Sequence, residues 1–121
     1  MNAEPPLSGT SNSSRRAKRY AFLLKLRPGT EKAYDTLHQS VPQDLTALLR
    51  RVGIREYSIF RREQLLVLIL AVADFEKAWD EIESDPAYKA WQKTMEPFFE
   101  ALSDLRSGER FPMLDEVFYL P

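Results

Sequence analysis

A tyrosine and the chain's single histidine lie four positions apart, as Tyr34 and His38. On a helix this spacing places one side chain above the other on the same face. A free histidine side chain titrates near pH ~6.5, so it can take up and return protons close to neutral pH. The pair lies about 100° from the apolar positions Leu37 and Val41, at the margin of the predicted buried face. It is therefore a candidate acid/base centre, although a boundary histidine without a chemical task shows the same pattern.

Three further side chains could hold a small polar ligand near that pair. Trp91 could stack on the apolar face of a sugar ring, but its spacing to Tyr88 and Met95 is also typical of core packing. Tyr57 lies within a predicted strand, where side-chain packing explains it as well. Gln92 could donate hydrogen bonds to a ligand, and solvation at the surface explains it equally. The residues alone leave both interpretations open.

Composition excludes several kinds of site. The sequence has no cysteine and one histidine, which rules out disulfides, thiolate metal sites, a cysteine nucleophile and a multi-histidine metal site within one chain. The formal net charge of −1 gives no electrostatic reason for a nucleic-acid or membrane partner. The longest apolar run, 65–73, is about half of the roughly 20 residues that a spanning helix needs. We expect a cytoplasmic protein with neither partner.

The order of the predicted elements is strand, helix, strand, strand, helix, strand. This order is typical of the α+β class with a ferredoxin-like split β-α-β arrangement and an antiparallel sheet. Helices cover one face of such a sheet, and the third strand is apolar on both sides, so a second copy is the simplest cover for the other face. We therefore expect a homodimer in which two sheets pack face to face. The predicted strands are 20–27, 54–60, 65–72 and 117–120, and the helices follow Thr30 and Asp74.

Proline is expected to interrupt both helical regions. Pro42 cannot donate to the carbonyl of His38, so the first helix either kinks there or restarts with Ser40 as its N-cap. The sequence Ser84-Asp85-Pro86 predicts a break and a restart, with proline at a first helical position. Both interruptions leave short helices.

The first residues differ in character from the rest of the chain. Residues 1–18 are polar, contain two prolines and end in a basic cluster, which predicts a disordered leader. With so few charges, a solvated arm explains the cluster better than a binding tail does. Residues 19–121 are predicted to form one domain.

Five segments together resemble the L-rhamnose mutarotase family, and the resemblance covers roughly residues 20–121. Y-D-T-L-H at 34–38 is similar to that family's tyrosine–histidine pair, and the closing hexapeptide E-V-F-Y-L-P at 116–121 is the most specific sign. The other segments are A-F-L-L-K-L-R-P-G at 21–29, G-I-R-E-Y-S-I-F at 53–60 and W-Q-K-T-M at 91–95.

The resemblance implies a dimeric α+β barrel that interconverts the α and β anomers of L-rhamnose. Opening and reclosing a hemiacetal needs an acid and a base, and no metal or redox cofactor. The family's catalytic histidine corresponds to His38, and its sugar-contacting tyrosines correspond to Tyr34 and Tyr57. Of an adjacent tryptophan pair that lines the sugar in some members, the first corresponds to Trp91, whereas Gln92 stands at the second position. Glutamine offers hydrogen bonds instead of a stacking face, so the preferred sugar could differ.

Three alternatives remain open at this point. The first is the same reaction on L-fucose or a related deoxysugar. The second is a cofactor-free monooxygenase-type barrel, against which the closing hexapeptide and the Tyr34/His38 pair argue. The third is a non-catalytic sugar-binding or regulatory barrel, against which the presence of His38 argues, since fold alone does not decide function.

Overall fold

The computed structural model describes residues 17–121, and in that range four strands form one antiparallel sheet. The strand order across the sheet is β2-β3-β1-β4. The strands are β1 (Lys18–Lys25), β2 (Arg55–Arg62), β3 (Leu65–Val72) and β4 (Met113–Leu114); the helices are α1 (Glu31–Leu37), α2 (Gln43–Arg51), α3 (Phe75–Ser84) and α4 (Pro86–Met95). The ferredoxin-like α+β prediction is confirmed for the single chain.

The predicted leader lies almost entirely outside the described residues. Residues 1–16 are not described, and Lys18 already belongs to β1. No helix among residues 17–121 is long and apolar enough to cross a membrane.

The hydrophobic core lies between the sheet and the helices. Alternate residues of β1 and β3 point into it, because successive strand side chains face opposite sides. Aromatic rings join the layers: Phe22 of β1 stacks on Phe111 with ring centroids 4.5 Å apart, and it meets Phe75 of α3 edge to face at 5.8 Å. The side chains that are almost fully buried include Phe22, Leu26, Leu48, Leu66, Leu70 and Ile82.

The opposite face of the sheet is apolar and uncovered in the single chain. β3 lies between β2 and β1, and its Val67 and Ile69 on this face are only partly buried. Cover of this face by a second copy stays a prediction. Phe60 pairs with Val67 and Leu114 pairs with Ala21 on this outer face, and Phe60 and Leu114 are 61% and 43% exposed. Leu65, at one end of β3, is also exposed.

The last strand is shorter and earlier than predicted. Met113 and Leu114 pair with β1, whereas the predicted strand Val117–Leu120 has no regular structure. Its four side chains are between 55% and 94% exposed. The chain leaves the sheet edge after Leu114, so an apolar segment that resembles a strand in sequence has no neighbouring strand to pair with among residues 17–121.

Both predicted helix interruptions are present. α1 gives way to a 3-10 turn over His38–Ser40, and α2 restarts after Pro42. The predicted N-cap was wrong by two positions, because Pro42 occupies it and Ser40 lies within the turn. Asp85 caps α4 by accepting a hydrogen bond from the Ala87 backbone N–H at 2.9 Å.

A β-bulge changes the predicted alternation of β2. Arg55 pairs with Ala71 and Ser58 with Ile69, so three steps on β2 match two on β3. Glu56 adopts a φ of 52°, a left-handed conformation that costs a non-glycine residue about 1–2 kcal/mol. The strict alternation of a regular strand is therefore interrupted at Glu56 and Tyr57.

A single arginine fastens the loop before β4 to α3. The Arg110 guanidinium contacts the carboxylates of Glu76, Asp80 and Glu83, which lie on one side of α3, and its side chain is only 20% exposed. The neighbouring Phe111 ring packs against Phe22 and Trp79. These contacts hold the loop over the helix-covered face of the sheet.

We expect Arg110→Ala to lower the free energy of unfolding by about 1–2 kcal/mol. Charge-assisted hydrogen bonds are each worth up to about 1.5–3 kcal/mol, and the exposure of the three carboxylates reduces that value. Arg106→Ala is the matched control, because Arg106 pairs with Asp115 where both side chains are largely exposed. Urea denaturation of both variants checks this, and equal loss of stability in the two would contradict the account.

Candidate active site

A cavity of about 410 Å³ lies between the sheet and α1, α4 and the loop before β4. We call it the main lobe. All five residues singled out from the sequence line it: Tyr34, His38, Tyr57, Trp91 and Gln92. The structure thus brings together side chains from α1, the following 3-10 turn, β2 and α4.

The break after α1 orients the His38 ring. Its Nδ1 lies 2.8 Å from the backbone oxygen of Tyr34, one helical turn earlier. A carbonyl oxygen can only accept, so Nδ1 carries the hydrogen in the neutral ring and donates it. Nε2 then has a free lone pair and can take a proton from a ligand.

Aromatic rings pack around the imidazole. The Tyr34 ring centroid lies 4.1 Å from that of His38, and the Trp91 ring meets His38 edge to face at 5.2 Å and 86°. His38 is only partly buried, so it stays accessible from the lobe. These rings limit the rotamers that His38 can adopt and hold Nε2 in one place.

An ion pair fixes α1 against β2. Arg61 donates two hydrogen bonds to the Asp35 carboxylate, at 2.8 and 2.6 Å. The hydrogen bonds from Arg61 lower the pKa of Asp35. Asp35 directly follows Tyr34 and Arg61 lies four residues after Tyr57, so the pair holds together the two elements that carry these tyrosines.

The tyrosines of the site are held in their neutral form. Burial raises the pKa of Tyr34 well above its ordinary value, with a smaller contribution from the charge of Asp35. Burial also raises the pKa of Tyr57, and the neighbouring Tyr34 and Tyr88 add to the effect. At neutral pH both hydroxyls keep their protons, so they can donate hydrogen bonds to ligand oxygens and are poor bases.

Sequence reasoning missed two residues of the site. Tyr88 was assigned to a core stripe, yet it lines the main lobe one helical turn before Trp91. Trp79 is 3% exposed and borders the same lobe, and its Nε1 has no hydrogen-bond partner among residues 17–121. Burial raises the pKa of Tyr88, and the negative charge of Glu83 adds to the rise. The i, i+3 spacing of Tyr88 and Trp91 was the available signal.

A second cavity of about 440 Å³ adjoins the main lobe on the side of α2. We call it the α2 lobe. The two lobes have six lining residues in common: His38, Tyr57, Ile59, Trp79, Tyr88 and Trp91. His38 therefore stands at the junction of the two lobes.

Gln92 has the least enclosed position of the predicted site residues. It is exposed, and it lies at the edge of the main lobe and of a shallow outer cavity with Lys93 and Glu96. From this position its amide could reach only the outer end of a ligand in the main lobe.

Comparison with known proteins identifies the family to which the chain belongs. Residues 19–120 match the family model described as L-rhamnose mutarotase. A curated relative of that name from Flavobacterium johnsoniae is 33% identical over 86% of this chain and 96% of its own length. Another, from Sinorhizobium medicae, is 34% identical over 72% of this chain and 85% of its own length.

Solved structures support the same fold. The crystal structure of an L-rhamnose mutarotase from Formosa agariphila matches with a TM-score of 0.70 and 27% identity, over 86% of this chain and 99% of that one. Tetracenomycin F2 cyclase from Streptomyces glaucescens, a type II polyketide cyclase, matches with a TM-score of 0.62 and 18% identity, over 86% and 96%. The second likeness concerns the fold alone.

Alkaline titration tests the burial of the tyrosines. Tyr34, Tyr57 and Tyr88 should stay protonated as the pH passes about 10, the ordinary tyrosine pKa, because burial disfavours the phenolate. The unfolded chain loses those protons at a lower pH than the folded chain does. The free energy of unfolding should therefore keep its full contribution from the buried hydroxyls below that pH, and it should fall as the pH rises above it. Ultraviolet difference spectra of the folded protein should show fewer phenolates than the five tyrosines allow, and denaturant should release the rest. A full phenolate signal from folded protein would contradict the buried site.

Proposed function

Since the chain belongs to the L-rhamnose mutarotase family, we propose that it interconverts the α and β anomers of L-rhamnose in the main lobe. The observation that carries the proposal is the convergence of Tyr34, His38, Tyr57 and Trp91 on one cavity, with Nε2 of His38 free to accept a proton. The relatives compared carry the name of this activity, which favours L-rhamnose over L-fucose. The cytoplasmic location stays a prediction from the sequence.

The reaction requires proton transfers and no change of oxidation state. Nε2 of His38 takes the proton of the anomeric hydroxyl, the bond between C1 and the ring oxygen breaks, and C1 becomes an aldehyde carbon. The electron pair of the broken bond goes to the ring oxygen, which takes up a proton from solvent water and gives one back to water when the ring recloses. Rotation about the C1–C2 bond and the reverse steps close the ring on the other face of C1. Every proton removed is returned, so atoms and charge balance.

The other residues position the sugar. Tyr34 and Tyr57 donate hydrogen bonds from hydroxyls that stay protonated at neutral pH. Trp91 lies edge to face with His38, so a sugar against the Trp91 ring lies beside the imidazole. Gln92 contacts the outer end of the ligand from the rim of the lobe. These contacts hold the anomeric hydroxyl near Nε2.

We expect His38→Ala to slow enzymatic anomer exchange by about 10²–10⁴-fold, the usual contribution of one acid/base group. Trp91→Ala should mainly raise KM, because the ring contributes binding and transfers no proton. The measurement is NMR saturation transfer between the two anomers of L-rhamnose, with a melting curve for each variant.

Gln39→Ala is the matched control for the histidine variant, because Gln39 is the exposed neighbour of His38 in the same 3-10 turn. It should exchange anomers at the parent rate. A folded His38→Ala protein that also keeps the parent rate would show that His38 is structural and that the proposed mechanism is wrong.

We also propose that two copies pair through the outer face of the sheet. Phe60 and Leu114 are exposed on that face, and Val67 and Ile69 of β3 lie between them. The apolar segment Val117–Leu120 continues from its edge and is exposed as well. Arg19 anchors this segment by pairing with Glu116 and by lying 3.6 Å from the centroid of the Tyr119 ring. An apolar area of this extent fits an interface between copies.

Sedimentation tests the pairing with one charged substitution. The parent protein should have about twice the chain mass, and Phe60→Glu should shift it toward the monomer, because the carboxylate would be buried between the sheets. Leu105→Glu is the control, since Leu105 is 42% exposed in the loop before β4. A monomeric parent at micromolar concentration, or a Phe60→Glu protein that stays dimeric, would contradict the proposed interface.

A further inference from the structure

The reaction described above does not use the α2 lobe. It is as large as the main lobe, about 440 Å³ against 410 Å³, and none of the side chains found only in it binds or protonates the sugar. A pocket of about 300–1000 Å³ suits a drug-sized ligand, and a free deoxyhexose is smaller than that. Together the lobes offer more room than one sugar ring fills. The residues found only in the α2 lobe are Val41, Leu45, Thr46, Leu49, Arg50, Ile54 and Glu56.

The two lobes adjoin each other at His38. Six residues border both of them, including His38 itself, Tyr57 and Trp91. A ligand that reaches past the imidazole from the main lobe would enter the α2 lobe. The α2 lobe is therefore suited to a part of the substrate that lies beyond the reacting ring.

The chemistry of the α2 lobe suits a neutral, hydroxylated group. Its floor is apolar, formed by side chains of α2 and by Ile54, and matches the carbon face of a sugar ring. The polar residues found only in this lobe are Thr46, Arg50 and Glu56, and the opposite charges of Arg50 and Glu56 cancel. The lobe therefore has no net charge to attract a phosphate or carboxylate, whereas sugar hydroxyls can donate to Glu56 and accept from Arg50.

The β-bulge supplies one of these polar groups. In a regular strand Glu56 and Tyr57 would face opposite sides of the sheet. The left-handed backbone at Glu56 and the shift of register before Ser58 let both residues line the same lobe. A strained backbone that adds a carboxylate to a cavity is typical of a binding site.

We propose that the α2 lobe binds a second sugar unit, and that the chain therefore acts on reducing disaccharides whose reducing residue is the deoxyhexose. This inference rests on the proposed mutarotation in the main lobe. The anomeric hydroxyl must stay free for ring opening, so the second unit is attached through another hydroxyl of the reacting ring. The bonds that form and break are those of the free sugar, and the glycosidic link stays intact.

Substitution at the rim of the α2 lobe tests the proposal. Thr46→Phe fills the lobe from a partly buried position on α2, and Thr94→Phe places the same ring at an exposed position on α4 that lines neither lobe. NMR saturation transfer is measured for L-rhamnose and for a disaccharide with L-rhamnose at its reducing end. The parent and Thr94→Phe should exchange the anomers of both sugars. Thr46→Phe should lose roughly tenfold or more in kcat/KM on the disaccharide and should keep its rate on L-rhamnose.

The outcomes separate this proposal from the activity itself. A parent protein that exchanges L-rhamnose and not the disaccharide overturns the subsite and leaves the mutarotation standing, as does a Thr46→Phe protein that treats both sugars like the parent. If the parent exchanges the anomers of neither sugar, the proposed mutarotation is overturned. The proposal of a second sugar site is then tested by measuring the binding of the two sugars. Calorimetric titration should then show tighter binding of the disaccharide than of L-rhamnose, lost in Thr46→Phe, and equal affinities overturn the proposal.

Discussion

The hydrogen bond from the His38 ring to the Tyr34 carbonyl is the contact on which the site depends. It selects the ring nitrogen that carries the proton and leaves Nε2 facing the ligand. It forms where α1 ends, because Pro42 cannot continue the helix and the chain turns through His38–Ser40 before α2 begins. The proline break thus converts an ordinary i, i+4 pair into an oriented acid/base group.

The residues packed around His38 keep the tyrosines neutral and hold the walls of the cavity in place. Burial keeps the hydroxyls of Tyr34 and Tyr57 protonated, so the base and the hydrogen-bond donors are different residues. The paired Asp35 and Arg61 hold α1 against β2, and Arg110 holds the loop that closes the other side. The proposed proton transfer would therefore take place in a cavity whose walls are held by these two sets of ion pairs.

The sequence predicts the element order because local signals determine it, whereas the site residues were candidates from their types and spacing and were selected by the resemblance to a family. Apolar periodicity and the two proline breaks define the helices and strands, and the spacing of Tyr34 and His38 places both on one face. The bulge at Glu56 was not predictable, because a left-handed glutamate is decided by the pairing of β2 with β3. The strand expected at Val117–Leu120 was wrong because consecutive apolar side chains give the same sequence pattern whether they are exposed or packed in a sheet. The position of Tyr88 in the wall of the cavity was missed because residues that pack in the core and residues that line a cavity show the same helical spacing.

The proton position on His38 is the central claim, and the chain contains one histidine, so its signals need no assignment by mutation. Nitrogen-15 NMR of the untagged, labelled protein, at a pH where the imidazole is neutral, measures the tautomer directly. The account predicts a protonated Nδ1 and an unprotonated Nε2, with Nε2 changing its shift when L-rhamnose is added. A neutral ring with the hydrogen on Nε2, in the presence of the sugar, would contradict it.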